Sequence, residues 1–577
     1  MSPDPFPPQV LREYALIADG ERGALIGPRG DISWLCLPQW HDDPAFADLL
    51  GGAGRYAVTP SGRFVWGGHY ERASLIWRSR WVAQDGGIAE CREALARPAS
   101  PRNAVLLRRL EGQTGEVNLD VELDVRSGGR PMTQLRRHDD GSWTARSGPL
   151  YLRWTGASDA EPDGEGVLRC RRTVTPGTAH DLVLEIGLDQ PEEQPDADRL
   201  WSATAAAWAD AVPDTSATVA PRDAAGAYAV LRGLTSGSGG MVAAATMGLP
   251  ERADRGRGYD YRYVWIRDQC YAGIAAAHYG PLPALTDAVA FTTARLLDDG
   301  DALKPAYRVD GGSVPDEHLL DLPGYPGGQA KAGNWVNQQF QLDAVGELLQ
   351  LLAAAARHDV LDADGWRAAA LAVDVIGRRW NEPEAGIWEL DDDWWSHSRL
   401  AVVAGLRQIA QVSPTAHDAG RAETLADAVL AETGRRCLHP TGRWQRSPTQ
   451  RGVDAALLLP PVRGALPVDD PRSRATLAAV LDELTQDGYV YRYRVDGSPL
   501  GEQEGAFLLC GFVLALALHA AGDPVEAFRW FERTRAACGT PGLLAEEFDV
   551  EQHQLRGNVP QGFVHAMLLE CSTVLSS

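Results

Sequence analysis

The sequence predicts a two-domain chain of mixed α and β class: an N-terminal antiparallel β-sandwich over residues 1–196, a linker helix over 197–221 and an (α/α)6 barrel over 222–577. Three observations carry this. Between Tyr14 and Leu188, short runs alternate apolar and polar residues with period two. From Ala197 onward the period is that of a helix. The 577 residues are 44% hydrophobic and 23% charged, which is enough apolar matter for two large cores and excludes a disordered or disulfide-stapled chain.

The clearest strand is Val117–Val125, where Val, Leu, Val, Leu and Val alternate with Asn, Asp, Glu and Asp. Runs 150–154, 167–174 and 182–188 follow the same rule, separated by turn signals such as Ser127-Gly128-Gly129 and Pro162-Asp163-Gly164. One wetted face per strand implies antiparallel sheets stacked as a sandwich. Asp198–Val212 reads as the connecting helix. Twelve further helical stretches follow at 222–235, 265–280, 283–298, 335–357, 364–380, 396–412, 417–436, 453–460, 471–485, 505–522, 524–537 and 561–575. Asp364-Gly365 and Asp523-Pro524 stand where capping aspartates are expected. Twelve helices make six hairpins, which can close into a barrel.

The balance of 55 basic against 78 acidic residues leaves a net charge of −23, which repels phosphate backbones and anionic lipid. Neither a nucleic-acid nor a membrane role is expected, and no apolar run is long enough to span a bilayer. The eight cysteines form no CxxC pair and no zinc spacing, so they read as buried thiols in a reducing cytosol. Met1–Pro5 lacks the basic and apolar regions of a signal peptide, and a cytoplasmic location is expected. The sequence leaves the oligomeric state open; a homo-oligomer is compatible with it. Eighteen Trp and fifteen Tyr are mostly core residues, but flat amphipathic rings also suit a sugar ligand.

Three clusters in the loops of the helical half can carry chemistry. Tyr259–Asp268 packs three Tyr, one Trp, two Arg and two Asp into ten residues at a helix start. A single Arg–Asp pair there reads as a surface ion pair; the whole cluster reads as a binding wall, with Arg donating to hydroxyls and Asp accepting. Gly386-Ile387-Trp388-Glu389-Leu390 sets a carboxyl among apolar residues, where desolvation keeps it protonated as a general acid requires. The acidic run Asp391–Asp393 reads as a solvated loop: it lacks the Gly and distal Glu of a calcium site, and no metal is expected. Leu543–Asp549 carries Glu546 and Glu547 side by side, so that one can face a cleft while the other anchors the loop. Taken alone, that segment is an ordinary acidic loop. Two carboxyls across one pocket are the minimum equipment of glycoside hydrolysis. P-loop, HExxH and GxSxG motifs are absent, Ser396-His397-Ser398 reads as packing, and no cofactor is expected.

With these clusters the chain resembles the glucoamylase-type glycoside hydrolases of family fifteen in their bacterial two-domain form. The likeness extends to Leu16–Gly20, Ala24–Gly27 and Gly30–Pro38 near the N-terminus, to Gly324–Gly328, Gly333-Asn334 and Gln338–Asp343 in the middle, and to Arg492-Tyr493, Glu504–Phe507 and Glu546–His565 near the C-terminus. The resemblance implies the sandwich-plus-barrel plan with a pocket at the barrel mouth. It also implies Glu389 as general acid, Glu546 as general base, and cleavage with inversion. The choice of Glu546 over Glu547 comes from the resemblance alone, and Glu547 is expected beside the substrate. Arg267 and Asp268 would bind hydroxyls of the terminal glucose, Tyr261 would sit near the water, Trp265 and Trp388 would line the pocket, and Arg492 would be a further sugar ligand. One departure stands out: the link from Leu390 to Arg399 is about two residues shorter than in bacterial relatives and richer in acid and Trp. That puts recognition of the leaving group, not the carboxyl pair, in question.

The leading expectation is an inverting, exo-acting α-glucosidase that releases β-glucose from short α-glucosides, small oligosaccharides or disaccharides of maltose or isomaltose type. An α,α-trehalase of the same family is the closest alternative. An inverting disaccharide phosphorylase is the next, disfavoured by the retained Glu546. A non-catalytic glucan-binding protein comes last, since it needs neither carboxyl.

Overall fold

The computed structural model describes residues 6–252, 257–495 and 498–577; Met1–Pro5, read above for targeting, lies outside them. The N-terminal half is a sandwich of two eight-stranded antiparallel sheets. One runs Ala15–Ala18, Gly23–Ile26, Asp31–Cys36, Arg55–Pro60, Val117–Asp124, Leu168–Val174, Glu161–Pro162, with Pro44–Phe46 on the third strand. The other runs Thr133–Arg137, Trp143–Ser147, Leu150–Thr155, Ala179–Gly187, Asn103–Thr114, Ile88–Leu95, Trp77–Ala83, Phe64–Tyr70. The alternation sets the register. Val121 lies opposite Val58 and Cys170, and Val117, Leu119, Val121 and Leu123 all turn into the core between the sheets.

After helix α1 (Ala197–Ala211) come α2 (Pro221–Leu234), α3 (Ile266–Ala277), α4 (Pro283–Asp299), α5 (Leu342–Arg357), α6 (Ala363–Arg379), α7 (Ser396–Val412), α8 (Ala416–Cys437), α9 (Leu459–Val462), α10 (Pro471–Glu483), α11 (Leu508–Ala520), α12 (Pro524–Arg535) and α13 (Gly562–Val574). The inner helices touch in a closed ring, α3–α5–α7–α9–α11–α13–α3. The even-numbered helices lie outside, α4 on α3, α6 on α5, α8 on α7, α12 on α11 and α2 on α13. Patterning explains the two layers. Leu508–Ala520 is apolar all round and buried, whereas α8 buries only Ala422, Ala426, Val429, Thr433 and Cys437, a single stripe.

The structure departs from expectation in three places. The stretch 335–357 is not one helix: Trp335–Gln338 is a 3₁₀ turn and α5 begins at Leu342. The stretch 453–460 is a 3₁₀ turn, Ala455–Leu458, running into the single turn of α9, where Pro460 and Pro461 limit its length. The cap of α6 is Asp362, which accepts from the Gly365 N–H at 2.8 Å, while Asp364 falls inside the first turn. Asp523 does cap α12, with Pro524 at its first position.

The sandwich braces the barrel from behind the site. Trp34 donates its indole N–H to Ala245 O at 2.9 Å, and Arg262 reaches back to Trp40 O (3.2 Å) and Asp42 O (3.0 Å). Among the described residues, no helix is long and apolar enough to cross a membrane.

Candidate active site

A cavity of about 890 Å³ opens where the N-terminal ends of the inner helices converge. Trp265, Trp395, Phe507 and Gln561, which precede α3, α7, α11 and α13, all line it. Helix N-termini carry partial positive charge and favour carboxylates and hydroxyl oxygens. The volume suits a ligand of disaccharide size.

Eight of the nine residues singled out from sequence line this cavity: Tyr261, Trp265, Arg267, Asp268, Trp388, Glu389, Arg492 and Glu546. The Arg492 guanidinium closes on Glu504, with Nε donating to Oε1 at 3.2 Å, and rests on the Phe507 ring at 4.3 Å. Its expected use as a sugar ligand is thus partly replaced by a wall-building ion pair. Glu547 is a correction. It is fully buried away from the cavity, and its Oε2 accepts the Gly505 N–H at 2.7 Å. It sits in the strand Glu547–Asp549, whose alternation turns Glu546 and Glu547 to opposite sides.

Glu389 is placed by an unusual backbone. Gly386 has φ +71°, and a Cβ there would stand 2.8 Å from the Trp395 ring. Glu389 itself has φ +54°, in the left-handed region that non-glycine residues rarely enter. The turn is held by Glu389 N–H to Gly386 O (3.1 Å) and Leu390 N–H to Ala385 O (2.9 Å). Its carboxyl accepts the Trp265 indole N–H at 2.6 Å and lies 3.6 Å from Arg267. Trp388 lines the cavity and donates its indole N–H to Asp454 at 3.0 Å.

Glu546 accepts the Tyr261 hydroxyl at 3.1 Å on both oxygens. Tyr261 and Trp265 meet edge to face with centroids 5.5 Å apart. Each carboxyl therefore takes its bond from a different ring of one aromatic pair. Burial, and next the neighbouring Glu251, push Glu546 up to about 8. Asp268 is pushed up to about 7, chiefly by burial, and its Oδ1 has no hydrogen-bond partner within the protein. Arg267 is held by Gln341 at 2.8 Å and stands 3.7 Å from Asp343.

The Tyr259–Asp268 cluster thus divides. Asp260 and Arg262 are a buried structural pair (2.9 and 2.7 Å), and only the other half reaches the cavity. Several lining residues escaped the sequence reading. Trp335, 55% exposed, stands on the 3₁₀ turn misread as helix. Arg446 lies over the Tyr493 ring at 3.7 Å and near Trp395 at 5.2 Å. Glu251 pairs with Arg257 at 2.7 Å. A lone Glu after Pro250 offered no pattern to find it by. Asp391 and Asp392 are exposed at the rim, as expected of a solvated loop, while Asp393 accepts hydroxyls from Ser447 (2.5 Å) and Thr449 (2.7 Å). Ser396 and His397 are packing: the hydroxyl donates to backbone carbonyls and the imidazole is buried.

Known proteins resemble both halves of the chain. Residues 7–206 match a family described as trehalase-like, N-terminal, and residues 228–573 match glycosyl hydrolases family 15. A trehalase of Mycolicibacterium smegmatis is 29% identical over 98% of this chain and 91% of its own length. Trehalase 1 of Sulfolobus acidocaldarius is 32% identical over 59% of this chain and 61% of its own. A bacterial glucoamylase solved with acarbose shares the fold, with TM-score 0.71 over 99% of this chain and 95% of that one, at 13% identity. With its barrel matched from residue 228 to residue 573, the chain belongs to glycosyl hydrolase family 15.

Proposed function

We propose that the protein is an inverting α,α-trehalase, cleaving trehalose to one β- and one α-glucose. The observation that carries this reading is two carboxyls in one disaccharide-sized cavity, each bonded to a different member of the Tyr261–Trp265 pair. Trehalose takes precedence over the maltose- and isomaltose-type substrates expected from sequence, because a relative named trehalase aligns along 98% of the chain, sandwich included.

In this scheme Arg267 and Asp268 grip hydroxyls of the glucosyl unit. Glu389 protonates the glycosidic oxygen, with Trp265 and Arg267 holding its carboxyl in place. Glu546 takes a proton from water as the water attacks the anomeric carbon from the opposite face. Tyr261 steers Glu546 toward that water. The second glucose leaves past Trp335, Trp395 and the acidic rim at Asp391 and Asp392, which supply ring faces and hydroxyl acceptors. Proton NMR on trehalose, maltose and isomaltose tests this. Trehalose should be cleaved fastest, with α- and β-glucose appearing in equal amounts before mutarotation. Preferred cleavage of maltose or isomaltose overturns the substrate, two α-glucoses overturn inversion, and phosphate-dependent glucose 1-phosphate overturns hydrolysis.

A further inference from the structure

The wall behind Glu546 holds a carboxylate that the two-carboxyl scheme does not use. Glu251 is 5% exposed, lines the same cavity as Glu546, and is paired with Arg257 at 2.7 Å. Its backbone N–H bonds to Arg257 O at 2.9 Å, so the pair is closed by main chain as well as side chain. Gly557 shows how near Glu251 and Glu546 stand. Its N–H donates to Pro250 O, and a Cβ built on it would lie 3.5 Å from Glu546 Oε2 and 4.0 Å from Glu251 Cγ. The two acidic side chains flank one glycine that has no room to spare.

We propose that Glu251 is a positioning residue of this site: paired with Arg257 beside Glu546 on one cavity wall, it sets the pH at which Glu546 becomes a base and the strength of that base. The inference rests on the reading of Glu546 as general base. Glu546 is faced by Glu251 and Arg257, by Tyr261, by Arg492 with its partner Glu504, by Glu547 next along the chain and by Glu389 at the same cavity. Among these, Glu251 is the acidic group acting most strongly on it. Arg492, Arg257 and the Tyr261 hydroxyl oppose that effect. Two carboxylates this close do not ionise independently. Burial raises Glu251 as well, and Arg257 at 2.7 Å opposes that rise; once Glu251 is ionised, its charge holds the proton on Glu546 to higher pH. A carboxylate that keeps its proton longer is the stronger base once it has lost it. The arrangement trades activity in acid for a better acceptor of the water proton.

The test is the pH profile of kcat/KM on trehalose, whose acid limb reports the free enzyme's base. Glu251→Gln should move that limb about one to two pH units lower. Glu251→Asp, which keeps the charge, should leave it near the wild-type position. A limb that stays put in Glu251→Gln while thermal stability falls would make Glu251 purely structural and overturn the inference. If Glu251→Gln does not fold, Glu251→Ala decides alone: a limb moved lower supports the inference and a fixed limb overturns it. Failure of the underlying reading looks different, because Glu546→Gln would then retain turnover on every substrate.

Discussion

The two carboxyl-bearing loops of the cavity solve the same problem by different means. The loop of Glu389 works through backbone geometry: a tight turn, a left-handed φ of +54° and one indole N–H hold a half-exposed side chain at the cavity. The loop of Glu546 works through charge. Its carboxyl is buried at the start of a strand, takes a phenol hydroxyl, and stands among Glu251, Glu547, Arg257 and Arg492. A proton donor must meet a leaving group that changes as substrate enters and departs, so a positioned, partly open carboxyl suits it. A base meets only water and can be tuned by fixed neighbours.

Exchanging the substrate rather than the residue breaks this comparison most sharply. Glu389→Gln and Glu546→Ala should each lower kcat on trehalose by about 10²–10⁴-fold. On an α-glucosyl fluoride, whose leaving group needs no proton, Glu389→Gln should recover most of its rate and Glu546→Ala should not. Recovery by Glu546→Ala instead would reverse the two roles.

A smaller effect sharpens the geometric half. Trp265→Phe keeps a ring in the wall but removes the N–H that reaches Glu389 at 2.6 Å. Losing one partner of such a bond costs about 1–3 kcal/mol, which is about 5–150-fold. The loss should fall on kcat, with KM moving less, because the bond places the donor and not the sugar. A change confined to KM would make Trp265 a stacking surface only.

The same contrast explains what was legible in the sequence. Elements defined by period could be read directly: the alternation of Val117–Val125 gave a strand, and the stretch 505–522 gave the helix that became α11. The Glu389 loop was visible because a carboxyl between Trp388 and Leu390 is locally odd. The electrostatic half was not. Glu251 and Glu546 are 295 residues apart, numbers that only the fold reconciles at Gly557. The reading of Glu547 as a substrate contact failed for a related reason: adjacent acidic residues look alike until the hydrogen bond to Gly505 shows which one is the anchor. Trp335 was hidden inside a stretch whose apolar pattern ran on into α5, although the backbone starts that helix only at Leu342.

The smallest expected effect on activity lies beneath both loops and asks whether buried charge also shapes stability. On α5, Asp343, Glu347 and Gln350 fall on one face and are all buried. Glu347 is absent from the cavity lining, and burial pushes its carboxyl up to about 8, opposed mainly by Arg463. A group whose folded pKa is raised stabilises the fold below its unfolded pKa, and that contribution is lost as pH rises through the folded value. For Glu347 the window therefore runs from about 4.5 to about 8. Glu347→Gln keeps the shape and cannot ionise, so its stability relative to wild type should climb across that window. Thermal unfolding should give nearly equal Tm values at pH 5 and a higher Tm for the variant at pH 9, a gain of about 2–4 kcal/mol. An offset that is the same at both pH values would mean that Glu347 is already charged within the barrel, with Arg463 compensating it fully. Burial alone would then be a poor guide to Glu546 as well, leaving its neighbour Glu251 as the dominant influence.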